Sequence, residues 1–376
     1  MARAYLDHAS SSPVRPAVVE AMLPWFDGPG AADPARVHTE GRMARAALED
    51  ARERVAGLLG ARPREVVFTS GATEAINAAT WGAAQLRPAG AVVVPAVEHS
   101  AVRDSSARTG RMVVAPVDGV GRVDVEALAE LAGPGTALVH CQVGNHEVGT
   151  LQPVAEVVAA CRPQGVLVHV DAAAAAGRVA IDFGGLGADL LSVSAHKLGG
   201  PKGVGALVVR RGLRLPPLVV GGDQERARRA GMENVPGIVG FGAACSALDL
   251  PGEAAVNRAR IDRLVEAARS VPGVVAYGDQ VCRLPHIACL GVWGVEAEGV
   301  LLGLDQAGVA AHSGSACSSE ALEPSPVLEA MGVDAERSLR LSVGWSTTEG
   351  DVDAFAAAFP VVVARLRALG TTPRPG

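Results

Sequence analysis

The run from Val166 to Val209, VLVHVDAAAAAGRVAIDFGGLGADLLSVSAHKLGGPKGVGALVV, decides the fold. It holds three short apolar segments: Val166–Val170, Leu190–Ser194 and Gly205–Val209. Each has the length of a strand, is rich in valine and leucine, and is bounded by glycine, aspartate or serine. Such runs mark strands buried on both faces of a sheet. Two of them end on residues with chemistry. Asp171 follows the first, and His196 and Lys197 follow the second.

The same texture extends towards the N-terminus. Val66–Thr69, Ala91–Val94, Met112–Val117 and Ala137–Val143 read as strands. Between them lie helical stretches such as Thr73–Gln85, Asp124–Leu131 and Val154–Cys161, and an earlier helix over Glu40–Leu59 stops at Gly60. Strands alternating with helices predict a mainly parallel, seven-stranded sheet covered on both faces. After about residue 250 the pattern changes. A helix over Ala254–Arg269 is followed by strands near Val274–Tyr277, His286–Leu290 and Leu339–Val343. Helices near Ala297–Ala307 and Val352–Leu369 complete it, the last kinked or split at Pro360. The expected organisation is α/β: a large domain over residues 14–250 and a smaller α+β domain of residues 251–376, joined by residues 1–13. A chain of 376 residues is long enough for both.

Composition narrows the function. Net charge is −6 with no long basic run, so nucleic acid is not expected as a partner. Met1–Pro13 lacks an apolar segment of signal-peptide length, and no stretch reaches the roughly 18 apolar residues of a membrane span. A soluble, cytoplasmic protein is expected. The cysteines at 141, 161, 245, 282, 289 and 317 form no CxxC pair, so neither a zinc site nor a disulfide framework is expected, and no other metal site is read. Of the 34 basic residues only Lys197 and Lys202 are lysine. Arginine replaces lysine as a surface charge but cannot form a Schiff base.

In open α/β sheets ligands bind beyond the carboxyl ends of the strands. The polar residues of this chain gather there. Ser70-Gly71-Ala72-Thr73-Glu74 follows one strand and opens a helix, a cup for phosphate. Glu98-His99, Asn145-His146-Glu147, Asp171, and Ser194 with His196 and Lys197 follow others. An amine, a carboxylate, a phosphate cup and a histidine at neighbouring strand ends suit pyridoxal 5'-phosphate (PLP). There the lysine forms the Schiff base and the carboxylate keeps the pyridine nitrogen protonated.

With these motifs in view, the chain resembles the class V aminotransferase group, and within it the cysteine desulfurases of the NifS/IscS type. The resemblance runs nearly end to end. It is carried by YLDHASSSPVRP, VVFTSGATEAIN, VEHSAV, NHEVGTLQP, VHVDAAAA, SVSAHKLGGPKGVGAL, GMENVPGIVGFG, HSGSACSSEALEPS and LRLSVGWSTTE. It implies that Lys197 carries the Schiff base, Asp171 pairs with the pyridine nitrogen, and His99 stacks on the ring. Thr73, Ser194, His196 and the backbone of Ala72 would hold the phosphate, and Arg340 the substrate carboxylate. Cys317, in SGSAC, would take sulfur from L-cysteine as a persulfide and pass it to a protein acceptor. A homodimer is also implied. Iron–sulfur cluster assembly and tRNA thiolation are both open destinations, because the chain ends soon after its last expected helix where scaffold-feeding relatives often have a longer tail. The other readings are a second class V activity (a selenocysteine lyase or an aminotransferase) and a scaffold with impaired catalysis.

Four positions depart from the family pattern. His146 stands where a second asparagine is usual, and Ala174 where a glutamine faces the cofactor's phenolic oxygen. We expect the His146 imidazole to replace that lost contact. Met232 stands where a threonine reaches the partner subunit's phosphate site. Asp33 stands where an asparagine lies near the substrate, and a carboxylate there would repel the substrate's own.

Overall fold

The computed structural model describes residues 3–313 and 324–370. Twelve strands run through the described residues: β1 (Ala4–Tyr5), β2 (Val66–Thr69), β3 (Val92–Pro95), β4 (Met112–Ala115), β5 (Leu138–Gln142), β6 (Leu167–Asp171), β7 (Leu190–Ser194), β8 (Gly205–Val209), β9 (Val274–Tyr277), β10 (Ile287–Val292), β11 (Val309–Ala310) and β12 (Ser338–Ser342). Strands β2 to β8 form a seven-stranded sheet in the order β2-β8-β7-β6-β5-β3-β4. Only β8 runs against its neighbours β7 and β2; the other pairings are parallel. Most of its strands are buried end to end, which explains their unbroken apolar sequences. Helices such as Thr39–Leu58, Ala72–Leu86 and Val154–Cys161 pack on its faces and close two hydrophobic clusters, one around Phe68, Val170 and Phe241, the other around Ile76, Leu138 and Leu190.

A second cluster system lies in the C-terminal part. Strands β9, β10 and β12 form an antiparallel sheet in the order β12-β10-β9, with Ile261, Leu290, Leu341 and Phe355 in its core. Strand β1 pairs in parallel with β11, and Asp7 bridges to Ser342, so the N-terminal segment is threaded through this unit. The last helix runs from Glu349 to Gly370 as one element. Of the kink or split expected at Pro360, the split does not occur. Phe355 and Phe359 before the proline and Val363 after it are fully buried, and their packing holds the helix together across it.

One turn is strained. Glu225, Arg226 and Ala227 have φ of +49°, +60° and +59°. For residues with a Cβ this left-handed conformation costs about 1 kcal/mol each or more. A buried clasp holds it. Arg52 donates from both terminal nitrogens to the Glu225 carboxylate, each at 2.7 Å, and Phe68 N donates to Glu225 Oε2 at 2.9 Å. The Arg52 guanidinium also lies 4.7 Å over the Phe68 ring.

Candidate active site

Register in the large sheet assembles the site. Thr69 pairs with Gly205, Gly205 with Ser194, Asp171 with Ser192, and Gln142 with Asp171. The carboxyl ends of β2, β5, β6 and β7 therefore lie side by side, with the start of β8 among them. Beyond this edge is a cavity of about 580 Å³. Ala72, Thr73, His99, His146, Asp171, Ser194, His196, Lys197 and Arg340 all line it. Among the described residues, the cavity thus gathers every predicted site residue except Asp33.

One wall is the N-terminus of the helix Ala72–Leu86. Its N-cap is Gly71, which has no side chain to occupy the free amides. A Cβ on Gly71 would sit 3.8 Å from Ser194 Oγ, so that hydroxyl lies beside the helix start. Gly205 is required by close approach: a Cβ there would be 2.5 Å from Val193 O and 2.7 Å from the Gly71 backbone. Glu74, also on this wall, would be raised by burial. The bonds from Arg229 and from Ser70 outweigh that and hold it below the usual carboxylate range. His196 is pushed down to about 4 by burial and by the neighbouring Lys197 and Lys202 cations. It is a neutral imidazole at pH 7, and its buried Nδ1 has no hydrogen-bond partner among the described residues.

The floor is Asp171, whose Oδ1 accepts from Ser192 Oγ at 2.9 Å and from Ala173 N at 3.0 Å. Both donors fix the carboxylate's direction. His99 Nδ1 accepts from Ala101 N at 3.0 Å and caps the helix Ser100–Ala107. With Nδ1 accepting, any donor role of this ring falls to Nε2. The His99 and His146 rings meet edge to face at 4.9 Å. Lys197 follows β7 in a short 3-10 turn, and its Nζ donates to the carbonyls of Ala9 and Ser10. Arg340, on β12, closes the far side. It donates to Asp7 Oδ1 at 3.0 Å, Ser10 Oγ at 2.6 Å and His146 O at 3.1 Å, while its Nε is buried without a partner among the described residues.

Three features were missed in whole or in part by sequence reading. Glu98 is fully buried next to His99, and Gln142 N donates to its Oε1 at 2.6 Å. Burial, with the nearby Asp171 charge next, raises its carboxyl to about 8. The N-terminal segment supplies the carbonyl partners of Lys197, and Asp7 pairs with Arg340. Arg178 reaches the Lys197 main chain from inside. A motif pointed to the N-terminal contribution and the strand-end pattern to the position of Glu98, but not to its burial or raised carboxyl; nothing in the local pattern marked Arg178.

The departures fall unequally. His146 and Ala174 line the same cavity. Asp33 does not line it; its carboxylate accepts from Ala35 N at 2.8 Å and pairs with Arg36 at 3.0 Å, which already offset its charge. Met232 is 66% exposed, away from the cavity lining. Cys317 lies outside the described residues.

The site and fold define a class. The family model for aminotransferase class-V matches residues 4–355, and the chain belongs to that family. The protein is 39% identical over 376 residues to cysteine desulfurase IscS 1 of Archaeoglobus fulgidus, covering 97% of this chain and 98% of that one. A solved NifS-like protein superposes with a TM-score of 0.90 at 31% identity, covering 97% of this chain and 100% of the other. The structure of SspA in complex with cysteine is also similar, at a TM-score of 0.81, 31% identity, 90% of this chain and 98% of that one. Among the described residues no single helix is long and apolar enough to cross a membrane.

Proposed function

We propose that the protein is a PLP-dependent cysteine desulfurase that converts L-cysteine to L-alanine and leaves the sulfur on Cys317. One observation carries this reading: the Lys197 amine, the Asp171 carboxylate and the uncapped helix N-terminus at Ala72 open into one cavity. Those are the three groups PLP needs, and the cavity's about 580 Å³ is of ligand-pocket size. Curated relatives of full length that are cysteine desulfurases support the substrate.

Lys197 Nζ is the amine that holds the cofactor. Thr73, Ser194, His196 and the Ala72 amide would hold the phosphate, and Asp171 would pair with the pyridine nitrogen. When bound, PLP supplies an electron sink for negative charge at the substrate α-carbon. His99, held by its helix cap, would cover the ring face. Arg340 binds the substrate carboxylate, which competes for the guanidinium with Asp7 and Ser10. Lys197 takes the α-proton and returns it. Cys317, as thiolate, forms an S–S bond with the substrate sulfur as the substrate C–S bond breaks. The electron pair of that bond stays with carbon, which is protonated to the methyl of alanine. The resulting persulfide is handed to a protein acceptor, and the enzyme works as a homodimer. The acceptor's pathway is iron–sulfur cluster assembly or tRNA thiolation.

The test uses mass spectrometry of the protein after exposure to L-cysteine. One extra sulfur atom on the Cys317 peptide, with stoichiometric alanine, is expected. Undiminished sulfide release to a thiol acceptor by Cys317→Ala would refute the mechanism.

A further inference from the structure

Arg178 is 3% exposed, and among the described residues no carboxylate pairs with it. Its Nη2 donates to the Lys197 carbonyl at 3.0 Å and to Ser12 Oγ at 3.2 Å. Ser12 Oγ in turn donates to the same Lys197 carbonyl at 3.3 Å. Nη1 is buried with no hydrogen-bond partner among the described residues. A buried arginine is normally neutralised by an acid, because an unpaired internal charge costs several kcal/mol. Here the bonds made by Nη2 go only to neutral oxygens.

The surroundings carry positive charge as well. His196 and Lys202 flank Lys197 on its own segment. From the N-terminal segment come His8, whose Nδ1 lies 3.1 Å from Ser12 Oγ, and Arg15, which donates to the Leu198 carbonyl. His286 precedes β10, and Arg340 comes from β12. The carboxylates facing this group are spoken for in part: Asp7 pairs with Arg340, Glu253 with Arg15, and Asp171 accepts from Ser192. The imidazoles record the resulting field. Burial, then the Arg178 cation, pushes His8 down to about 3, and the same two causes lead for His286, which falls well below its ordinary value.

We propose that Arg178 is a positioning residue for Lys197: it clamps the lysine's carbonyl from inside and adds to the lysine's segment a positive charge that Glu253 offsets only in part, which favours the nitrogen's uncharged form. A like charge in a desolvated site disfavours a second one. The clamp fixes the short turn from which Nζ projects. The charge makes proton release from that nitrogen easier, so it accepts the substrate's α-proton from an unprotonated state at neutral pH.

This rests on Lys197 carrying PLP, and the experiment separates the two. Purified holoenzyme is first reduced with borohydride, and the modified peptide is identified. In separate, unreduced holoenzyme the bound chromophore is titrated by absorbance against pH in wild type, R178M and R178K. R178M is expected to raise the midpoint by about one pH unit, and R178K to leave it within about 0.3 unit of wild type. R178Q replaces R178M if the latter does not accumulate as folded holoenzyme. No cofactor fixed on Lys197 in the wild type would overturn the cofactor reading and this inference with it. A cofactor on Lys197 with the R178M midpoint at the wild-type value would overturn the inference alone. Equal shifts in R178M and R178K would also overturn it, since they would place the effect in packing rather than charge.

Discussion

The two sides of the cavity are held by different kinds of structure. On the cofactor side, Asp171, Ser194 and the Ala72–Thr73 helix start are fixed by strand register within one sheet. On the substrate side, Arg340 is held by Asp7, Ser10 and the His146 carbonyl, partners 333, 330 and 194 residues away in sequence. The first side is a backbone lattice that a point change leaves in place. The second is a network of side chains, each of which depends on the others. Damage on the first side should therefore remove one chemical role, and damage on the second should loosen substrate binding as a whole.

The largest effect is expected at Lys197. Lys197→Ala should lower alanine formation from cysteine by at least about 10⁴-fold while the protein stays folded by circular dichroism. Residual activity above one per cent of wild type would break the division. Next is Arg340→Ala, which should lower kcat/KM by about 10²- to 10³-fold, mainly through KM, because it also strands the Asp7 carboxylate. Arg340→Lys should recover only part, since an ammonium lacks the guanidinium fork. A fall carried by kcat alone would assign Arg340 to the cofactor side.

Away from both sides, Glu225→Ala takes the bidentate partner from buried Arg52, leaving it only Glu49, and removes the clasp on the left-handed turn. Chemical denaturation should report a loss of about 3 kcal/mol or more, with KM for cysteine unchanged. An unaltered midpoint would show that the turn holds itself. Glu98→Gln gives a pH-dependent change. With its carboxyl raised to about 8 from the 4.5 of a free glutamate, the folded state binds more protons than the unfolded one between those values. Wild-type stability should thus fall, relative to the variant, as pH rises from about 5 to 8, and the gap should be constant above that. A gap that stays flat across the window would mean that Glu98 ionises normally. The smallest effect is expected from His146→Ala, a shift of about half a unit in the pH midpoint of the bound chromophore. No shift would mean that His146 does not stand in for the side chain missing at Ala174.

The same contrast explains what could be read beforehand. Strands such as Val66–Thr69, Leu190–Ser194 and Gly205–Val209 were legible to the residue, because burial on both faces demands continuous apolar runs. Asp171 and Lys197 stood out as polar residues at the ends of such runs. The helix Val235–Ser246 was not legible: it is apolar on nearly all sides and carries no period. The short strands β1 and β11 were equally silent, since each is two residues long and is defined only by the other. Arg178 and Glu98 acquire their roles from burial beside residues remote in sequence, and no local pattern records that. The continuity of the last helix across Pro360 likewise depends on tertiary packing that propensity does not see.

The most direct measurement uses the chain's own economy of amines. Only Lys197 and Lys202 are lysines, and both line the cavity. Borohydride reduction of the purified protein followed by peptide mass spectrometry should place one pyridoxyl phosphate on Lys197 and none on Lys202. Label on Lys202, or on neither lysine, would contradict the account.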